Sequence, residues 1–337
     1  MLQTAKAMMP DKLISVITPT YNRANYLLKS IDSVLNQSPQ IIEHLVVDDG
    51  STDDTSSLAK TIADPRFRYI RKPHSGAPAT RNAGIEAAHG RYILWLDSDD
   101  ELKPGILEHY IHEITQFAEV DIFYGDLEMV DETGKKSVLA FQNYYQKTDL
   151  LSHLIRGTII PNPGTLVRKS LYSKHGLYDL RFRRAHDFEF WSRALADASI
   201  KHCGVNCCRY RWHRENMSSG NTDLSFEAGV VKLLCSRHPP QRLFPELDWD
   251  DSVAEVKAWE KVAGLLESCH DFDNALVALD YANRYIPQTL SSLVCNSIKR
   301  RLREGSSRIN QKAAANKLES ELSITLIPAT TDYAATG

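Results

Sequence analysis

From residue 13 onward the sequence repeats one pattern. A short run of consecutive apolar residues gives way to a polar break, then to a longer stretch with apolar positions three and four apart. LISVITPTY (13–21) is continuous and β-branched, as a strand buried on both faces requires. In ANYLLKSIDSVLNQS, Leu27, Leu28, Ile31, Val34 and Leu35 line one face of a helix. HLVVDDGSTDDT is a second strand running into a turn, with Ser51 or Asp53 able to cap the next helix. RFRYIRK is a third strand, APATRNAGIEAAHG a helix stopped by Gly90, and RYILWL a fourth strand. KPGILEHYIHEITQF reads as a helix opened by Pro104.

This alternation predicts an α/β domain over residues 13–117, an open, mostly parallel sheet with helices on both faces. Ligands of such sheets bind at the carboxyl ends of the strands, where Tyr21, Asp48, Asp49 and Asp97 to Asp99 fall. The chain is less regular from about 118 to 220. VDIFYGDLEMV reads as a strand, PNPGTLVRKSLY as a loop and strand entering a helix, DFEFWSRALAD as an amphipathic helix and VNCCRYRWH as a strand. Past about residue 225 the pattern turns helical, with two antiparallel helices resembling one degenerate hairpin repeat. The last dozen residues are expected to be disordered.

Composition narrows the classes. With 42% hydrophobic and 25% charged residues, the 337-residue chain is an ordinary globular sequence. A net charge of −3 argues against a nucleic-acid-binding protein as a whole. The N-terminal MLQTAKAMMPDK lacks the apolar core of a signal peptide, and no apolar run reaches bilayer length. The expectation is a cytoplasmic protein, soluble or at most peripheral at the inner face of the membrane. Cysteines at 203, 207, 208, 235, 269 and 295 form no repeating framework and read as reduced thiols.

RYILWLDSDD (91–100) raises the chemical question, because three carboxylates within four residues repel one another. Each acidic pair alone is an ordinary turn or cap. Two acidic clusters at strand ends of one parallel sheet converge on one crevice, and hard oxygen ligands there suit Mg2+ or Mn2+ rather than zinc. Neither G-x-x-x-x-G-K-[ST] nor G-x-G-x-x-G is present, so phosphates would be held through metal and cationic side chains.

SVITPTYNR, VVDDGSTDDT, ATRNAGIEAAHGRYILWLDSDD, RRAHDFEFWSRALA and YRWHRENMS, in this order, resemble the family 2 inverting glycosyltransferases of GT-A fold. The resemblance covers about residues 12–220. It implies a domain at 11–225, with a nucleotide-binding half to 117 and an acceptor half from 118. A helical extension (226–320) and a disordered tail (321–337) would follow. Pro19 and Tyr21 would line the nucleoside pocket, Asp49 would hydrogen-bond the base (uracil), and Arg81 would lie near the nucleotide. Asp97 would face the ribose with Ser98 beside it, and Asp99 would ligate Mn2+ or Mg2+ on the diphosphate, the role of a DXD motif. Asp187 would be the catalytic base, with Arg211 and His213 closing over the diphosphate or completing the metal shell.

The chemistry needs those residue types. Direct displacement at an anomeric carbon requires one carboxylate to deprotonate the acceptor hydroxyl. The departing diphosphate needs a cation and Arg or His to neutralise its charge. Asp187 opens a helix, whose dipole keeps a carboxylate ionised. One departure stands out: the family's usual acidic residue before this Asp is here His186, read either as an acceptor-side group or as an exposed polar residue.

Other candidates have an ordinary reading beside the functional one. His74 and Ser75 are a surface turn or a loop near the nucleotide. Asn162-Pro163-Gly164 is a turn or, as the resemblance implies, a segment near the acceptor, and Asp126, which ends IFYGD, resembles a family position at the donor-sugar side. Zinc at His202, Cys203, Cys207, Cys208 and His213 is disfavoured by the C-x-x-x-C-C spacing. Lys299, Arg300, Arg301 and Arg303, with Arg308, are a solvated helix face or a patch for an anionic membrane bearing a lipid-linked acceptor. The expected function is metal-dependent transfer from a UDP-sugar to a saccharide or lipid-linked hydroxyl. The rivals are a non-catalytic nucleotide-sugar scaffold and, more weakly, a sugar nucleotidyltransferase.

Overall fold

The computed structural model describes residues 12–37, 42–147, 149–214, 216 and 225–325, with side chains from 227 to 314 in the last stretch. The chain divides into two compact units, Met1–Thr222 and Asp223–Gly337. In the first, β1 (Ile14–Thr20), α1 (Ala24–Leu35), β2 (Ile42–Asp48), α2 (Thr55–Ala59), β3 (Phe67–Arg71), α3 (Ala77–Ala87) and β4 (Tyr92–Trp95) follow in order. Then come β5 (Glu101–Leu102), α4 (Ile106–Gln116), β6 (Ile122–Val130), β7 (Lys136–Leu139), α5 (Leu150–Leu154), β8 (Leu166–Arg168), α6 (Ser170–His175), α7 (His186–Ala194) and β9 (Ile200–Arg211).

The parallel expectation holds for part of the sheet. β3-β2-β1-β4 pair in parallel, and the two halves of the strand order diverge between β1 and β4. From β4 outward the sheet is mixed: β8 runs antiparallel to both β4 and β6, β6 pairs parallel with β9, and β5 pairs antiparallel with β9. β5 and the edge strand β7 escaped the sequence pattern, being short or exposed.

Alternate residues of β1 face opposite layers, as the two-residue strand period demands. Ile14 and Val16 pack with Val34 of α1 and with Ile106, Leu107 and Tyr110 of α4. Ile17 faces α3 instead, where a Cβ on Gly84 would lie 2.6 Å from its Cγ2, so only glycine lets α3 approach this closely. Helices therefore cover both faces, as expected. α4 begins at Ile106 after Gly105 (φ +77°), later than Pro104 implies, because the chain first crosses a left-handed turn.

The second unit comprises α8 (Ser225–Arg237), α9 (Pro240–Leu243), α10 (Ala254–Ser268), α11 (Phe272–Arg284) and α12 (Ser292–Thr325). α12 runs through Thr325, into the segment expected to be a disordered tail; residues 326–337 lie outside the described ones. Arg301 pairs with Glu260 and Arg308 with Glu267, bracing α12 against α10, and Arg300 lies 3.9 Å from Glu304. Part of the basic run is thus committed to acidic partners.

Beneath the parallel sheet, His44 of β2 is fully buried beside Thr18 Oγ1 at 3.0 Å, and burial holds its pKa down to about 3. Folding keeps this imidazole neutral, whereas the unfolded chain takes up its proton below about pH 6.5. Stability is therefore fully present above pH 6.5 and falls as pH drops toward 3, by about 1.4 kcal/mol per pH unit for each such histidine. Denaturant unfolding at pH 7, 6 and 5 should give a slope that His44→Gln makes shallower by that amount; an unchanged slope would contradict this.

Candidate functional site

The sheet sets two acidic strand ends, those of β2 and β4, on either side of β1. Thr20 and Asp48 are register partners on β1 and β2, and Asp49 N–H donates to Thr20 O at 2.9 Å. Pro19 lies opposite Val47, and Tyr21 leaves β1 with 42% of its surface exposed. The Asp49 carboxylate is buried and receives Lys72 Nζ at 2.5 Å, Ser75 N–H at 3.0 Å and Gly76 N–H at 2.8 Å. Burial alone would raise its pKa, but Lys72 and the two backbone amides outweigh that and hold it below the ordinary value. His74 stacks on Tyr21 with ring centroids 4.4 Å apart. His74 thus packs on Tyr21 beside Asp49 while most of its side chain stays exposed.

On the other flank of β1, Leu96 N–H donates to Ile17 O, and the chain turns through Asp97, Ser98, Asp99 and Asp100. Each acid has a separate partner. Asp97 Oδ1 accepts from Arg81 Nη2 at 2.5 Å and remains partly open to solvent, while Ser98 is buried. Asp99 Oδ2 lies 3.0 Å from His213 Nε2 and 3.8 Å from Arg23 Nε. Asp100 Oδ1 accepts Arg211 N–H at 2.9 Å and its other oxygen is buried without a partner. Burial and the charge of Asp97 push the Asp99 pKa up; burial and both neighbouring carboxylates push Asp100 up much further. Asp100 is therefore a buried anchor for the end of β9.

Arg211 and His213 flank Tyr26 of α1, the His213 ring stacked on it at 5.3 Å and the Arg211 guanidinium 5.3 Å from its centroid. Arg211 is also bound to Glu101 (2.7 Å) and to the Asp99 carbonyl (3.1 Å). It braces the acidic turn here, so a diphosphate would have to draw it from Glu101. His213 stands directly at Asp99. Tyr26 and Arg23 were not foreseen: both sit on or beside an amphipathic helix as ordinary polar-face residues.

Arg81 reaches the site through other residues. It is 5% exposed, lies 4.9 Å over the Trp95 ring and bonds Asp97. With the Asn162 amide oxygen turned toward it, that oxygen accepts from both terminal nitrogens at 2.9 and 3.0 Å. The next residue, Asn82, donates to Tyr178 O and accepts from Tyr178 N–H, both at 2.9 Å. Trp95 Nε1–H donates to Tyr172 OH at 2.8 Å, and Tyr172, Tyr178 and Phe190 pack around it. This aromatic cluster carries α7.

α7 starts after Ala185, which at φ +50° adopts a left-handed conformation uncommon for a residue with a side chain. Asp187 is the second residue of the helix, half-buried, and its Oδ1 accepts the Phe188 N–H at 2.9 Å. Burial disfavours the charge on Arg81, but Asp97, then Tyr178 and last Asp187 outweigh it and raise its pKa. His186 is not exposed: it is buried edge-on against Tyr178 at 5.3 Å. Burial, then Arg81, lowers its pKa to about 4, so it is neutral beside Asp187.

The remaining candidates serve the framework. Asp126 accepts from Phe141 N–H (2.8 Å) and lies 2.9 Å from His202 Nε2, tying β6 to β9. Cys203, Cys207 and Cys208 belong to the hydrophobic core. Gly164 N–H donates to Trp95 O at 2.8 Å, which fixes the Asn162 segment beside β4. Among the described residues no three His, Cys, Asp or Glu side chains form a metal cage, and no helix is long and apolar enough to cross a membrane. Asp99 and His213 nonetheless fit a divalent cation that also binds substrate phosphates, since a buried carboxylate disfavoured by its neighbour's charge gains from a cation.

Residues 15–176 match the Glycosyl transferase family 2 profile. Those residues belong to glycosyl transferase family 2. An uncharacterized glycosyltransferase of Rickettsia prowazekii (strain Madrid E) is 32% identical over 192 residues, 56% of this chain and 60% of that protein. The chondroitin synthase of Pasteurella multocida is 28% identical over 213 residues, 63% of this chain and 22% of the synthase. The chain thus spans at most about 60% of these relatives. The structure of S. aureus TarS 1-349 in complex with UDP-GlcNAc superposes with a TM-score of 0.59 at 20% identity, covering 81% of this chain and 88% of that one. The fold is therefore the GT-A type, and the family 2 domain carries the acidic strand ends described above.

The buried Arg81 fork gives this site a checkable weakness. Lysine keeps the charge but supplies neither the planar stack on Trp95 nor simultaneous bonds to Asp97 and Asn162. Arg81→Lys should lower unfolding stability by about 1–3 kcal/mol in denaturant titration, the range for a buried polar group left without its hydrogen bond. A change below about 0.5 kcal/mol, the size of an ordinary surface substitution, would show that the guanidinium shape is dispensable.

Proposed function

We propose that the chain transfers a sugar from a UDP-linked donor to a hydroxyl of a saccharide or lipid-linked glycan acceptor, with inversion at the anomeric carbon. What supports this reading is the buried Arg81 guanidinium, bonded to Asp97 at a strand end and electrostatically coupled to Asp187 at a helix start. A ribose-side carboxylate and a base would then share one crevice. UDP-GlcNAc in the TarS structure and the naming of relatives as glycosyltransferases or a chondroitin synthase support it.

Tyr21 would stack on the uracil, Pro19 and Ser98 would border the nucleoside, Asp49 would accept the base N–H and Asp97 the ribose hydroxyls. Asp99 and His213 would hold the cation, and this oxygen–nitrogen pair suits Mn2+ better than Mg2+. Such a cation neutralises the charge that grows on the departing diphosphate. One oxygen of Asp187 is engaged by the Phe188 N–H, which leaves the other for the acceptor. As the acceptor oxygen bonds to the anomeric carbon, that carboxylate takes its proton and the carbon–oxygen bond to the diphosphate breaks. Neutral His186 adds no charge beside the base, where an acidic residue would repel it.

The test separates chemistry from binding. With a UDP-sugar, Mn2+ and a saccharide acceptor, Asp187→Asn should reduce kcat by roughly 10²–10⁴-fold while donor affinity stays within twofold. Asp99→Ala should abolish the stimulation by Mn2+. Full transfer by Asp187→Asn would remove the base assignment, and tight donor binding with no turnover on any acceptor would favour the scaffold.

A further inference from the structure

The base end of the crevice is already filled, by a residue of this chain. His74 lies against the face of Tyr21, rings 30° from parallel, and its Nδ1 is 2.8 Å from Asp49 Oδ2 and 3.2 Å from Asp49 O. A nitrogen this close to a carboxylate carries the proton. An aromatic ring stacked on Tyr21 and donating N–H to Asp49 is what the base reading asks of a uracil. We propose that His74 is a surrogate base, which occupies the uracil position and must swing out before a uridine nucleotide can bind.

Two arguments support displacement over a sandwich. The first is space: ring centroids 4.4 Å apart leave no room for a base between Tyr21 and His74, since each stacked pair of rings needs a separation of its own. The second is valence. A carboxylate offers about four acceptor positions, and Asp49 is already crowded by Lys72 Nζ, Ser75 N–H, Gly76 N–H and His74 Nδ1, with Ser75 Oγ farther off at 3.5 Å. A base N–H can enter only where one of these leaves.

His74 is the donor that can leave at least cost. Two of the others are backbone amides in a loop that Lys72 N–H ties to Asp48 O at 2.9 Å. That loop lies so close to Gly50 (φ +80°) that a Cβ there would meet His74 N at 3.0 Å. Lys72 Nζ is also bound to the Pro73 carbonyl and to Ser75 Oγ. The His74 side chain, by contrast, is 58% exposed and its ring needs only side-chain rotation to clear Tyr21. A site whose competent state is a minority binds more weakly by that fraction. The imidazole thus sets a threshold that a stacked base with an N–H facing Asp49 can overcome.

This rests on the assignment of Asp49 to the base, so the test carries a control for it. Titrate the full chain, as wild type, His74→Ala and Asp49→Asn, with UMP and with ribose 5-phosphate, which lacks a base. His74→Ala should bind UMP roughly fivefold more tightly, with ribose 5-phosphate unchanged. Asp49→Asn should weaken UMP. If Asp49→Asn weakens UMP but His74→Ala leaves it unchanged or weaker, the surrogate is overturned and the base assignment stands. If Asp49→Asn does not affect UMP, the base assignment itself fails and the surrogate with it. An equal gain for ribose 5-phosphate would show a general opening of the loop and would also overturn the proposal.

Discussion

A guanidinium removed from water needs partners for its charge, and Arg81, whose terminal nitrogens are paired while its Nε is buried without a partner among the described residues, is the group on which this site is built. Its partners come from three places: Asp97 just past β4, Asn162 in the loop before β8, and the ring of Trp95 at the end of β4. Removing any one leaves a buried charge or donor exposed to an apolar surround, a cost of several kcal/mol. The adjacent Asn82 adds the backbone of Tyr178, so α3 fixes the strand end and the entrance to α7 together. α7 is thereby set relative to the end of β4 by packing and hydrogen bonds.

The acidic turn works by dividing unlike tasks among like side chains. Asp97 is neutralised by Arg81, Asp99 is held near His213 and Arg23, and Asp100 is buried against the β9 backbone. The carboxylates still disfavour one another's ionisation, which is visible in the raised pKa values of Asp99 and Asp100. That residual repulsion is the driving force a divalent cation would relieve at Asp99. Tyr26 completes the turn by holding both Arg211 and His213 on one ring.

Much of residues 13–117 was legible because β1, β2 and β4 are buried on both faces, so continuous apolar runs ending in Asp48–Asp49 and Asp97–Asp99 mark their carboxyl ends directly. The placement of Asp187 near the start of a helix followed from the amphipathic pattern after it. What stayed hidden depends on contacts between distant segments. β5 has two residues and exists only because β9 pairs with it. Tyr26, Lys72 and Asn82 look like ordinary helix or loop residues until the fold sets them beside His213, Asp49 and Tyr178. His186 read equally as exposed or functional, because a polar residue at a helix start gives no sign of the Tyr178 ring that buries it. For Pro104, the glycine after it moved the helix start, a local signal outweighed by a left-handed turn.

The central claim is that one rigid crevice holds the nucleotide side and the Asp187 base so that the acceptor attacks opposite the departing diphosphate. The most direct measurement is the anomeric configuration of the first-formed product, read by proton NMR with an α-linked UDP-sugar and a simple saccharide acceptor. The account predicts a β-linked product. An α-linked product would mean that the configuration is retained, and the single-displacement geometry built around Asp187 would be contradicted.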